Sequence, residues 1–355
     1  MVGGCIQYKK IRDLDTSKGL KMIMFVLDFL TNLILDCRFQ IVVGFSFLIH
    51  WAWRLPRPRK GAGNKTVFIT GCDSGMGHRM ARRFDEMGMH VFAGCLQPKG
   101  EGALALKKSC STRLHIVPVD ITRDDLVLKA VDYVKANLPP GDKGLYCLVN
   151  NAGVLAFTDF ELMTPSMCEE VININLLGTM RVTKHFLPLI CQVPGRVVTI
   201  TSILARLVYP GVAVYAATKH GLNGFFSALR YELQEKGVHV ATVEPGDFST
   251  TTDIMQWTQR HLEEIWNNLS PEEKKSKLHL FEKTKKKVHK TKCSEKVQEK
   301  NYKFLLQDVE DAMLAEEPHW RYVSAPTATK IVLWILRSLP EKWSFKLMGE
   351  KTISN

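Results

Sequence analysis

Short β-branched runs alternate with helical patterns through most of this chain, and that alternation restricts the fold more than any other feature. The runs are residues 65–70 (KTVFIT), 91–96 (VFAGCL), 114–119 (LHIVPV), 145–149 (LYCLV), 195–202 (GRVVTITS) and 238–243 (VHVATV). Each is followed by turn residues and then by a stretch with helical periodicity. Strand and helix in strict alternation predict an α/β fold: a doubly wound, parallel sheet of the Rossmann type, with helices on both faces. Parallel sheets of this kind bind ligands at the carboxyl ends of their strands.

The residues at those ends carry chemistry. After the first run comes Gly71-Cys72-Asp73-Ser74-Gly75-Met76-Gly77, opening a helix. Glycines there let the backbone approach a pyrophosphate, and the helix N-terminus supplies donors and a partial positive charge. The spacing is G-x-x-x-G-x-G, which alone is a weak signal. Its context strengthens it: Asp120 ends the third run, and Asn150-Asn151-Ala152-Gly153 ends the fourth. Ser202 closes the fifth run. Tyr215 and Lys219 follow on a helix expected over residues 212–236, where a spacing of four puts them on one face. A phenol is a poor base at neutral pH, and a neighbouring ammonium is expected to lower its pKa. Ser202 can hold a substrate oxygen by a hydrogen bond. Glu244-Pro245-Gly246 then makes a sharp turn at the same edge.

These motifs, in this order, resemble the short-chain dehydrogenase/reductase family over about residues 64–340. The resemblance implies a dinucleotide site at Gly71, Asp73, Ser74, Gly75, Met76, Gly77, Asp120, Asn151, Ala152, Gly153, Pro245 and Gly246. It implies catalysis by Ser202, Tyr215 and Lys219, with Lys219 also binding the nicotinamide ribose and Asn175 supporting a proton relay. It further implies an NAD(P)-dependent oxidoreductase that interconverts an alcohol and its carbonyl. Segments such as residues 175–183 (NLLGTMRVT), 229–233 (LRYEL) and 243–248 (VEPGDF) look most like the membrane-associated hydroxybutyrate, hydroxysteroid and retinol dehydrogenases. A homodimer or tetramer is compatible with that subgroup. The segment entering Tyr215 (LVYPGVAV) is apolar, which favours a lipophilic alcohol or ketone, steroid or retinoid, as the substrate. A small hydroxy acid, D-3-hydroxybutyrate, is the alternative, and a catalytically inactive dinucleotide-binding scaffold is a second one.

No acid stands at the end of the second strand, where NAD enzymes commonly hold the ribose 2′-hydroxyl. Asp73 would repel a 2′-phosphate, and in the resembling subgroup an Asp at that position goes with NAD. The expected cofactor is therefore NAD rather than NADP, with Lys99 and Arg79 as the two side chains able to reverse it.

Two segments depart from the α/β pattern. Residues 22–35 and 41–53 are apolar runs followed by Trp51, Trp53 and a basic cluster. Neither run alone reaches the ~20 residues that cross a bilayer, so a tilted span, a re-entrant hairpin or an interfacial helix is expected. Residues 1–60 are thus read as a membrane-associating segment and linker, 61–340 as one catalytic domain, and 341–355 as a tail. The expected location is the endoplasmic reticulum membrane, with the mitochondrial inner membrane as the alternative. The net charge of +12 is mostly local: twelve lysines against five glutamates fall between Pro271 and Lys303. Such a run is read as a solvated face or an anionic-lipid contact, and without nucleic-acid motifs it does not indicate nucleic acid. By the family resemblance it falls where substrate-lid helices lie. The nine cysteines show no CxxC spacing; Cys72, Cys95, Cys147 and Cys191, in or beside apolar runs, read as buried free thiols, and no metal site is expected.

Overall fold

The computed structural model describes residues 44–45, 58–207, 209–248, 252, 254–288, 295–340, 342–344 and 346. The chain divides at Arg57/Pro58, and the unit Pro58–Asn355 holds all the elements below. Apart from Gly44 and Phe45, the two apolar runs expected at a membrane lie outside the described residues. No helix among the described residues is long and apolar enough to cross a membrane.

Strands and helices alternate as β1 Thr66–Thr70, α1 Gly75–Glu86, β2 His90–Cys95, α2 Glu101–Ser109, β3 Leu114–Pro118, α3 Asp124–Ala136 and β4 Cys147–Asn150. There follow α4 Pro165–Ile172, a π-helical segment Asn173–Gly178, α5 Thr179–Ile190, β5 Arg196–Ile200, α6 Ala213–Gln234 and β6 His239–Pro245. The chain continues through α7 Gln256–Asn267, α8 Pro271–Val288, α9 Glu295–Leu314, β7 Arg321–Ser324 and α10 Thr327–Ser338. The seven strands are parallel, in the order β3-β2-β1-β4-β5-β6-β7. The order reverses between β1 and β4, so a crevice opens outside the carboxyl ends of those two strands.

Side chains alternate across the pleat, and each face of the sheet receives a helical layer. Val67 and Ile69 of β1 meet Met80 and Phe84 of α1 and Leu305 and Val309 of α9 on one face. Phe68 points the other way, into a core with Val127 of α3, Phe186 of α5 and Phe226 of α6. Phe68 and Phe186 stack with centroids 4.4 Å apart. Cys72, Cys95 and Cys147 are buried free thiols, and burial pushes all three up, Cys95 to about 12.

Three features differ from the sequence reading. β7 is a seventh strand that no alternating pattern marks. The lysine-rich stretch is not one unit: it divides between α8 and α9, and α9 goes on to pack Tyr302, Leu305 and Val309 against the sheet. The apolar run at residues 331–336 (IVLWIL) predicts a helix near 327–339 packed at the side of the domain; α10 is that helix, but it buries no residue, and Ile331, Val332, Trp334 and Ile335 are exposed.

Candidate active site

The glycine turn sits at the crevice. Gly71 and Gly75 have positive φ, 70° and 59°. A Cβ on Gly71 would lie 2.9 Å from the Ala152 Cα, so the turns after β1 and β4 touch backbone to backbone. Asn151 braces this contact: its side-chain amide donates to the carbonyls of Thr70 and Gly71 at 2.9 and 3.1 Å. The residue predicted to touch a dinucleotide thus shapes the turn that would hold it. Ser74 is the N-cap of α1, yet its side chain makes no capping bond, and the first turn contains no acid. The first amides of α1 are therefore left to an anion. Met76 packs against the core beneath.

Asp73 reaches the end of β2. Its two carboxylate oxygens accept the backbone amides of Leu96 at 2.9 Å and Gln97 at 2.8 Å. The negative charge is thereby fixed where the adenosine ribose of a dinucleotide lies in this fold class. Of the two cations that could have countered it, Arg79 is engaged elsewhere: it pairs with Glu299 at 3.1 Å and lies 4.3 Å from the Tyr302 ring centroid. Asp120 turns inward on its own loop, with Oδ1 accepting the Thr122 amide and hydroxyl at 2.9 and 2.7 Å.

Across the crevice, β5 leads into Ser202, whose Oγ accepts the Leu204 amide at 3.1 Å. Tyr215 and Lys219 occupy the first two turns of α6, and both are only 5 % exposed. Burial raises the Tyr215 phenol to about 12, against a hydrogen bond with Ser202 that holds it down. Burial lowers Lys219 to about 8. This corrects the expectation that Lys219 pulls the phenol pKa down. The Lys219 Nζ donates to the Ile200 carbonyl at 3.3 Å and stands 5.6 Å from the Tyr215 ring centroid, so desolvation dominates both groups.

Asn175 lies fully buried inside the π-helical segment, a geometry frequent at functional sites. Its side chain accepts the Val154 amide at 2.8 Å and donates to the Val154 carbonyl at 2.9 Å, pinning the chain just after Gly153. A Cβ on Gly153 would lie 3.0 Å from Asn175 Oδ1 and 3.6 Å from Lys219 Nζ. Glycine there keeps the space between the two turns open. Pro245 ends β6, and the Gly246 amide donates to Ser324 of β7 at 3.1 Å. These residues fit a nicotinamide dinucleotide: unfilled helix amides for the pyrophosphate, an acid at the ribose edge of β2, and a glycine-cleared gap beside Lys219.

Further groups surround Tyr215, and most of them come from parts of the chain that the motifs do not mark. Leu155, Phe157, Leu204, Val212, Tyr215 and Ala216 form one apolar cluster, with Tyr209, Ile254 and Met255 at its border. Helix α8 closes over it. Thr284 meets Thr158 at 3.3 Å, Lys283 pairs with Asp159 at 3.5 Å, and Lys277 donates to the Glu161 carbonyl at 3.3 Å. The Lys287 ammonium lies 4.7 Å from the Phe157 ring centroid and 5.9 Å from that of Tyr209. The lysines of α8 expected on a solvated face are in part its fastenings to the segment after β4. Glu244, fully buried beside Pro245, contacts Arg206, Arg321 and Asn223. Arg206, the one cation that follows Ser202 closely, is therefore bound to a carboxylate.

Residues 65–261 match the family model described as short chain dehydrogenase. The chain is 42 % identical to the mitochondrial D-beta-hydroxybutyrate dehydrogenase of Bos taurus over 200 residues, 56 % of this chain and 58 % of that protein. It is 39 % identical to retinol dehydrogenase 16 of Homo sapiens over 237 residues, 66 % of this chain and 73 % of that protein. The match thus spans less than two thirds of the hydroxybutyrate enzyme's length. Among solved structures, a short-chain dehydrogenase from Burkholderia cenocepacia in complex with NADP superposes with a TM-score of 0.58. That superposition covers 81 % of this chain and 99 % of the other, and at 20 % identity it speaks for the fold alone.

Proposed function

This chain belongs to the short-chain dehydrogenase family, and from that premise we propose that it is a nicotinamide-dependent dehydrogenase that interconverts a lipophilic alcohol and its carbonyl, with NAD as the preferred cofactor. The observation that carries the reading is the buried arrangement of Tyr215, Ser202 and Lys219 at the carboxyl edge of β5, with Lys219 beside the turn after β4. The bound dinucleotide supplies the hydride acceptor. Ser202 orients the substrate oxygen, and Tyr215 exchanges the proton with that oxygen. Lys219, whose ammonium stands 5.6 Å from the phenol ring centroid and beside Gly153, holds the nicotinamide ribose when the dinucleotide is bound. Asn175 holds the segment after Gly153 in place behind them.

The substrate class rests on the apolar wall formed by Leu155, Phe157, Leu204 and Val212. With Arg206 tied to Glu244, no guanidinium follows Ser202 into that wall unpaired. A second reading, a small hydroxy acid, draws support from Lys287, whose ammonium stands at the rim over Phe157 and Tyr209. Initial rates with retinol, estradiol and 3-hydroxybutyrate, measured side by side, separate the two. Replacing Tyr215 by Phe tests the chemistry itself. Turnover should fall below about a tenth, a loss of more than ~1.4 kcal/mol, with dinucleotide binding kept. Turnover above that level removes Tyr215 from the proton path. Loss of binding as well would make its role structural.

A further inference from the structure

Glu244 has no part in the proton path above, yet its carboxylate is fully buried. A buried carboxylate is costly unless it is paired and hydrogen-bonded, and a well-packed apolar side chain would stabilise the same space at least as well. What the carboxylate adds is direction. Arg206 Nε contacts Oε2, Arg321 Nε approaches Oε1 at 3.4 Å, and the Asn223 side-chain amide donates to Oε1 at 3.2 Å.

These partners come from different parts of the site. Arg206 closes the short 3-10 turn Ile203–Ala205, and Ser202 is the N-cap of that turn. Asn223 lies on α6, eight residues after Tyr215 and four after Lys219, so all three share one buried helical face. Asn223 also donates to the Ala205 carbonyl at 3.5 Å, inside the same turn. The carboxylate thus joins the turn that carries Ser202 to the helix that carries Tyr215. The spacing of those two elements therefore fixes how far the Ser202 hydroxyl stands from that of Tyr215.

We propose that Glu244 is a positioning residue, which through Arg206 and Asn223 sets the separation between the Ser202 and Tyr215 hydroxyls. This rests on the reading of Ser202 and Tyr215 as the pair that handles the substrate oxygen. The test therefore needs a readout that does not depend on turnover. Full-length protein carrying tyrosine labelled with ¹³C at Cζ gives eight tyrosine signals at most, and Tyr215→Phe assigns the one that matters. Its shift reports the hydrogen bond to Ser202. Glu244→Gln keeps the shape and removes the charge. The Tyr215 signal should then move toward its position in Ser202→Ala. In the Ser202→Ala background the same substitution should leave it nearly still, because coupled sites are not additive. Where an alcohol is turned over, Glu244→Gln should lower kcat about tenfold in the first background and by roughly twofold or less in the second, with dinucleotide KM hardly changed. An unmoved Tyr215 signal in folded Glu244→Gln protein overturns the proposal, as does an equal kcat loss in both backgrounds. If Glu244→Gln does not fold, Asn223→Ala cuts the tie on the helix side and must move the signal the same way. A protein that oxidises none of the alcohols tried sinks the proposed function, and the Tyr215 signal still decides the role of Glu244.

Discussion

Lys219 should be a burden on the stability of the dinucleotide-free protein. Its ammonium is buried, and burial lowers its pKa from 10.5 to about 8 in the folded state. Such a drop corresponds to about 3 kcal/mol of destabilisation. The side chain recovers part of it, about 1 kcal/mol, through the hydrogen bond to the Ile200 carbonyl at 3.3 Å. Lys219→Met keeps the length and removes the charge, so at pH 7 the variant should be more stable by about 2 kcal/mol. For a unit of this size that is a rise of roughly 3 °C in melting temperature. The sign with pH follows from which state holds the proton. Between about pH 8 and 10.5 the unfolded chain keeps a proton on Lys219 that the folded chain has released, so wild-type stability climbs across that interval. The advantage of Lys219→Met is therefore full below about pH 8 and fades toward pH 10.5. Differential scanning fluorimetry of both proteins from pH 6 to pH 10, without dinucleotide, measures it. A variant that melts lower than wild type at pH 7, or a gap that stays constant with pH, refutes the reasoning. The same variant should lose turnover, because a charge placed for chemistry is retained at the expense of stability.

The cofactor preference follows from Asp73: a 2′-phosphate at about 5 Å meets a repulsion of about 3 kcal/mol per unit charge before screening, at an effective dielectric of ~20. NAD should be preferred by at least about tenfold in kcat/KM, and Asp73→Asn should narrow that margin. Equal use of NADP by the wild-type protein defeats the argument. The phenol at about 12 makes neutral Tyr215 the resting form, so alcohol oxidation, which needs it to accept a proton, should speed up with pH between 6 and 8. Carbonyl reduction should stay flat over the same range, and initial rates of oxidation that stay constant or fall from pH 6 to 8 would contradict the assignment. A chain beginning at Gly61 should leave the membrane pellet if residues 22–53 are the attachment. If pelleting persists, the exposed face of α10, with Ile331, Val332, Trp334 and Ile335, becomes the place to substitute next.

The first six strands were legible because each is a β-branched run closed by turn residues, and their observed bounds differ from the expected ones by only a few residues. β7 was not, since Arg321–Ser324 is four residues long and shows no alternation of its own. Ser202, Tyr215 and Lys219 were legible through spacing along one strand end and one helix, which are local relations. Glu244 was silent for the opposite reason: its partners, Arg206, Asn223 and Arg321, are far apart in the chain and meet only when β5, α6, β6 and β7 come to one edge. The phenol pKa was misread for a related cause. Proximity of Lys219 along the helix is visible in a sequence, whereas the desolvation that outweighs it depends on what the rest of the fold lays over both groups. The lysines of α8 show the same limit. As a run they suggest solvent, but at helical spacing a run presents different residues to different sides, and Lys277, Lys283 and Lys287 face the loop after β4.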